Sequence, residues 1–131
     1  MKNQHHIPHL RSIGDFYEQL RIGPPQGNEF SIMKIEDQPK TKRLEMPLFR
    51  CDFYRLVFIK GQGVEWSLPD KQFESTKNCV YFSYPGNLES WKSAEDVYGY
   101  LICFTKSFFH SQFFSSMEFP FFTYEKSKLL Y

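Results

Sequence analysis

Residues 53–60, Phe-Tyr-Arg-Leu-Val-Phe-Ile-Lys, constrain the fold more than any other stretch of this chain. The run is rich in aromatic and β-branched residues and is stopped by Gly61, which reads as a β-strand. Side chains alternate across a strand, so Phe53, Arg55, Val57 and Ile59 share one face while Tyr54, Leu56 and Phe58 share the other. Both faces are apolar. One must fill a core, and the other must be covered by the terminal helices of the chain or by a second subunit. Intrachain cover and dimerisation explain that second face equally well.

Further strand patterns recur along the chain. Residues 30–35 alternate, with Phe30 and Ile32 on one face and Ser31, Met33 and Ile35 on the other. Residues 64–68 follow the short Gly61-Gln62-Gly63 loop, as a hairpin partner would. Residues 79–84 end at the Pro85-Gly86-Asn87 turn, and residues 98–105 complete the series. Short strands with turn signals between them predict a mainly β sandwich or small barrel. The aromatic share of 19% suits pleated, half-buried surfaces, and 131 residues suit one domain with one core.

Flanking this region, Ile13, Phe16, Tyr17 and Leu20 recur at helical spacing behind Ser12, which can cap the helix, with Asp15 near its positive end. Gly23-Pro24-Pro25 is expected to end it. Residues 1–11 read as a polar arm of low order, and residues 36–43 as a charged, solvated loop. From Lys106 a helix carrying Phe108, Phe109, Gln112 and Phe113 is expected, then an extended stretch around Phe119-Pro120-Phe121-Phe122. That aromatic density predicts packing on the barrel or on a partner chain.

Several function classes are excluded at this stage. A formal net charge of +1 provides no broad field to attract duplex DNA or an acidic membrane. No segment approaches the roughly 18 apolar residues of a membrane span, and the N-terminus lacks a signal-peptide run, so a cytoplasmic protein is expected. Cys51, Cys79 and Cys103 are odd in number and far apart, and read as reduced thiols. His5, His6 and His9 lack the spacing that places two metal ligands on one helical face, and His110 has no nucleophile beside it. There is no Gly-rich phosphate loop, no nucleophile elbow and no evident acid–base carboxylate pair.

Four segments then carry a family resemblance: Phe49-Arg50-Cys51-Asp52-Phe53-Tyr54-Arg55, the Gly61-Gln62-Gly63 loop, residues 81–91 from Tyr81 through Pro85-Gly86 to Glu89 and Trp91, and Gly99-Tyr100-Leu101-Ile102-Cys103-Phe104. Their order and spacing resemble the N-terminal effector domain of AraC-type bacterial transcription regulators. The short helix, Pro-containing link and strand at residues 30–33 resemble its opening, so the likeness spans residues 12–122. It implies a mainly β, cupin-like jelly-roll barrel with a short N-terminal helix and a C-terminal helical segment. It also implies a small-molecule effector, a homodimer, and contact with DNA only through a C-terminal pair of helix-turn-helix motifs. No such pair lies in these residues, and the chain stops at Lys128-Leu129-Leu130-Tyr131 with no closing signal. Residues 12–131 are therefore expected to be an effector-binding domain cut from a longer protein, with a free-standing sensor as the alternative.

The resemblance also locates a site. Metal-binding cupins carry two His separated by one residue and a Glu in a first motif, with a further His after the turn of a second. Those places fall on Phe49, Cys51, Arg55 and Glu89 here. None is a histidine, and Arg55 is a permanent cation that repels a metal, so no metal or cofactor and no cupin oxygenase or isomerase chemistry is expected. An inward Arg55 must be paired, and Glu89 faces it in the motif pair. The two are expected to meet as a structural salt bridge or as an anchor for an anionic or hydroxylated effector. Trp66, Tyr81, Trp91 and Tyr100 join them as candidate ligand-binding residues, with flat apolar faces and polar tips. Core packing explains any one of these four, so only convergence on a common cavity would make them a site. A sugar-binding or scaffold protein on the same fold is the rival reading, and an enzyme the weaker one.

Overall fold

The computed structural model describes residues 7–38, 45–61, 63–75, 78–93, 97–114 and 129–130. Among the described residues, ten strands form two five-stranded sheets. One sheet runs in the order β1 (His9–Leu10), β3 (Glu45–Cys51), β8 (Glu89–Ser93), β5 (Val64–Leu68) and β6 (Lys71–Glu74). The other runs β10 (Leu129–Leu130), β7 (Cys79–Ser83), β4 (Tyr54–Lys60), β9 (Tyr98–Phe104) and β2 (Phe30–Lys34). Pairing is antiparallel throughout except between β1 and β3. Without the two-residue edge strands, the chain divides as β3-β8-β5-β6 against β7-β4-β9-β2, the strand order of a jelly roll. The protein is mainly β, as the strand patterns require.

The apolar run at residues 53–60 becomes a central strand. Both edges of β4 are taken, by β7 on one side and β9 on the other. Its inward side chains Arg55, Val57 and Ile59 are buried, as is Phe53 just before it. Its outer face is covered at one end by the chain itself. The helix α2 (Lys106–Phe109), widened into a π-helical turn at His110–Phe114, lays the buried Phe109 over Tyr54 and Phe104, with ring centroids 5.1 and 6.2 Å apart. Thr105 starts α2 by accepting a hydrogen bond from the Phe108 amide at 3.1 Å. At the other end of the same face Phe58, Tyr98 and Tyr100 are exposed. Residues 119–122, where an extended stretch was expected, lie outside the described residues.

Occupied edges on β4 overturn the expected hairpin at Gly61-Gln62-Gly63. β4 and β5 lie in different sheets, and the chain crosses between them there. Gly61 and Gly63 hold φ at 91° and 118°, values that glycine reaches without steric cost. The true hairpin joins β5 to β6 across Pro69-Asp70, with Leu68 opposite Lys71 and Trp66 opposite Phe73.

The helix α1 (Ile13–Leu20) closes one end of the two-sheet core. Ser12 accepts from the Asp15 amide at 3.0 Å, and the buried stripe is Ile13, Phe16, Tyr17 and Leu20, each side chain worth about 1.5–3 kcal/mol of burial. Phe16 reaches Phe49, Phe53 and Trp91 at centroid distances of 6.1, 5.8 and 6.5 Å. The expected stop at Gly23-Pro24-Pro25 is not what ends this helix. Arg21 takes a left-handed conformation (φ 60°), and the amides of Arg21 and Ile22 bond back to the Glu18 and Tyr17 carbonyls. The prolines follow a helix already capped.

Residues 7–11 also differ from the expected arm. Leu10 is buried, His9 and Leu10 pair in parallel with Arg50 and Cys51, and His9 Nε2 lies 2.6 Å from Asp52 Oδ1. Arg11 adds a longer contact to Asp52 at 3.4 Å. The hydrogen bond from His9 holds the Asp52 carboxyl below its usual range. A polar, His-bearing stretch gives no apolar pattern to signal this edge strand, since its backbone does the pairing. His5 and His6 lie outside the described residues. Among the described residues, no helix is long and apolar enough to cross a membrane.

Candidate functional site

The site is assembled by strand register. Arg55 on β4 lies opposite Ser83 on β7 and Cys103 on β9, Val57 opposite Tyr81, Phe49 on β3 opposite Glu89 on β8, and Trp66 on β5 opposite Trp91 on β8. Period-two alternation turns these positions inward, so the two sheets present them to one another. Arg55 and Glu89 are each about 1% exposed and meet with Arg55 Nη2 2.5 Å from Glu89 Oε2.

Two hydroxyls complete the pair. Tyr81 donates to Glu89 Oε1 at 3.0 Å, and Ser83 donates a short hydrogen bond to Glu89 Oε2 while accepting one from Arg55 Nη2 at 3.1 Å. The Arg55 guanidinium also lies 5.1 Å from the Phe49 ring centroid, 5.4 Å from that of Phe16 and 5.8 Å from that of Trp91. Such contacts help a desolvated cation. Burial, the largest single influence, lowers the pKa of Arg55, but the Glu89 charge and hydrogen bond together with Cys51 and Tyr81 outweigh it and the net displacement is upward. The guanidinium is therefore always charged, and the unit it forms with an ionised Glu89 has no net charge. Arg55 Nε has no hydrogen-bond partner among the described residues.

Beside this network lies a cavity of about 50 Å³. Trp66 and Trp91 form one wall and Val57, Ile59 and Leu101 another, and among the described residues Arg55 is the only charged one lining it. Gln38 and Ser93 add further polar groups. Of the six ligand-binding candidates from the sequence, Arg55, Trp66 and Trp91 line this space. Glu89 and Tyr81 stand behind it. Glu89 is engaged by Arg55, and Tyr81 stacks on Trp66 at 4.9 Å.

Tyr100 does not join them. It is 42% exposed and lies on the outer face of β9, opposite Phe58, because the inward positions of that strand are Gly99, Leu101 and Cys103. With both faces of the strand apolar, its alternation alone does not say which face is inside.

The four positions carried over from the metal-site resemblance converge, but as a set that does not fit a divalent ion. Phe49 offers no donor, the Glu89 carboxylate is already saturated by a guanidinium and two hydroxyls, and burial pushes the Cys51 thiol up to about 12 despite the nearby Arg55 charge. Cys103 is pushed up to about 12 by the same cause. Both remain protonated thiols, whereas a metal ligand must be the thiolate.

Sequence reasoning missed Ser83, Phe16, Gln38 and Ser93. Ser83 could have been found, since alternation along 79–83 puts it on the face of Tyr81. Phe16 and Gln38 arrive from outside the paired strands, where no local periodicity points to the site. No family model matches this chain, and no curated protein or solved structure matches it either.

Proposed function

We propose that this chain is the effector-sensing and dimerisation domain of an AraC-type transcription regulator, binding a small molecule in a metal-free cavity. The observation that carries this reading is the convergence of Arg55, Trp66 and Trp91 on one interior space. Two indoles, a desolvated guanidinium and aliphatic walls suit recognition of a compact organic molecule. The jelly-roll strand order is the one that the resemblance implies, and the places of a cupin metal centre hold a neutral ion-pair network instead. That network argues for sensing over catalysis, because its carboxylate and both its hydroxyls are engaged within it.

On this reading the exposed aromatic end of the β4–β9 face, Phe58 with Tyr98 and Tyr100, serves association with a second copy. DNA is contacted through a separate C-terminal domain, and the protein works in the cytoplasm. The test is the reading frame beyond residue 131, together with sedimentation of the chain. A helix-turn-helix coding region and a dimer support the regulator. A stop codon at position 132 with a monomer at high concentration would contradict it.

A further inference from the structure

The interior network and the cavity together restrict what the seat can hold. We infer that it takes a small uncharged molecule, or the uncharged end of a larger one, that is mostly apolar and offers one hydrogen-bond acceptor to Arg55. This rests on the reading of the cavity as an effector seat and narrows the chemistry of its occupant.

Charge decides first. Arg55 invites an anionic ligand by its type alone, but its charge is already balanced by Glu89 in a site where both are about 1% exposed. A carboxylate added here would leave one negative charge unmatched in a desolvated space, and an ammonium would leave one positive charge unmatched. An uncharged ligand disturbs neither.

The acceptor follows from an incomplete hydrogen-bond set. Arg55 Nε is a buried donor without a partner among the described residues, while the same side chain lines the cavity. A buried donor left unmade is costly, so a carbonyl or ether oxygen presented to it recovers that cost on binding. The walls supply the rest. Two indoles with Val57, Ile59 and Leu101 make the lining mostly apolar, and among the described residues Gln38, Ser93 and the two indole N–H groups are the polar groups beside Arg55. A sugar would bury several hydroxyls with too few partners. The volume, about 50 Å³, is a third of the roughly 150 Å³ that accommodates benzene in an engineered apolar cavity, so the seated part is about two heavy atoms, the size of one carbonyl group.

The chain has two tryptophans, and both line this space, so their indole N–H resonances report on it directly. The probes are 2-butanone, butyrate, butylammonium and glycerol, with xenon as a purely apolar control. Butanone is expected to shift both resonances saturably and to bind about ten-fold or more tightly than the charged or polyol probes. It should also move the Arg55 Nε–H signal. In Val57→Leu, which fills part of the space, the butanone shifts should vanish. Butyrate, butylammonium or glycerol binding as tightly as butanone overturns the inferred chemistry but leaves the seat intact. Butanone shifts that persist in Val57→Leu place binding elsewhere and overturn the inference. If no probe, xenon included, moves either indole, the effector seat itself is refuted and the inference falls with it.

Discussion

Replacing Glu89 by Gln keeps the shape of the side chain and removes the charge that balances Arg55. The two groups are each about 1% exposed, so water cannot take over the role of the carboxylate. With charge centres about 4 Å apart and an effective dielectric near 20, the lost attraction is about 4 kcal/mol. That agrees with the roughly 3–5 kcal/mol lost when a buried pair is broken from one side. A domain of this size is stable by about 5–15 kcal/mol, so the variant should sit near the edge of folding. Arg55→Met should also destabilise, since Tyr81 and Ser83 remain as the partners of an uncompensated carboxylate and three ring contacts are lost. The double variant Arg55→Met/Glu89→Gln removes both charges and should recover most of the combined loss, giving a coupling of about 3–4 kcal/mol. Urea unfolding followed by far-UV circular dichroism measures each corner of the cycle. A loss below about 1 kcal/mol for Glu89→Gln, as for a surface pair, would refute the reasoning. So would two single losses that simply add in the double variant.

Three other outcomes follow from particular positions. In Gly99→Ala the new Cβ would lie 1.8 Å from the Phe58 carbonyl oxygen at a φ of 145°, so β4 and β9 must part locally. A loss of about 3 kcal/mol in urea unfolding is expected, and a neutral variant would show that the close approach is absent in solution. Arg21→Gly relieves a left-handed residue at the end of α1 and should stabilise by about 1 kcal/mol, whereas a destabilised variant would contradict the cap geometry. Cys51 and Cys103 should resist iodoacetamide at pH 8.5 in the native protein and react once unfolded, because burial pushes both up to about 12. These folded values lie above the unfolded value of about 8.5, so the thiols' contribution to stability is full below it and lost as pH rises towards 12. Rapid native alkylation of either, or a urea midpoint flat across that range, would count against their burial.

What the sequence made legible follows from the kind of signal each element carries. β4 shows plainly because every position but its ends is apolar or pairs inside, and a buried arginine demands a partner, for which the resemblance's motif pair offered Glu89. β6 did not show, because Lys71, Gln72 and Glu74 surround a single Phe73 on an edge strand. β8 was hidden for a similar reason, with Trp91 its only apolar residue. Alternation reports which side chains share a face but not which strand lies alongside, so the crossing at Gly61 to Gly63 looked like a hairpin. The same limit put Tyr100 in the interior. The cavity itself depends on gaps between side chains from both sheets and from the segment after β2, and no local pattern encodes a gap.

The claim at the centre of this account is that the space between Trp66, Trp91 and Arg55 is a ligand seat. The most direct test is isothermal titration of a screened, uncharged effector into the wild-type chain and into Leu101→Phe, which fills the seat from the β9 side. The account predicts one site per chain in the wild type and loss of binding in the folded variant. Equal affinity for both proteins would contradict it.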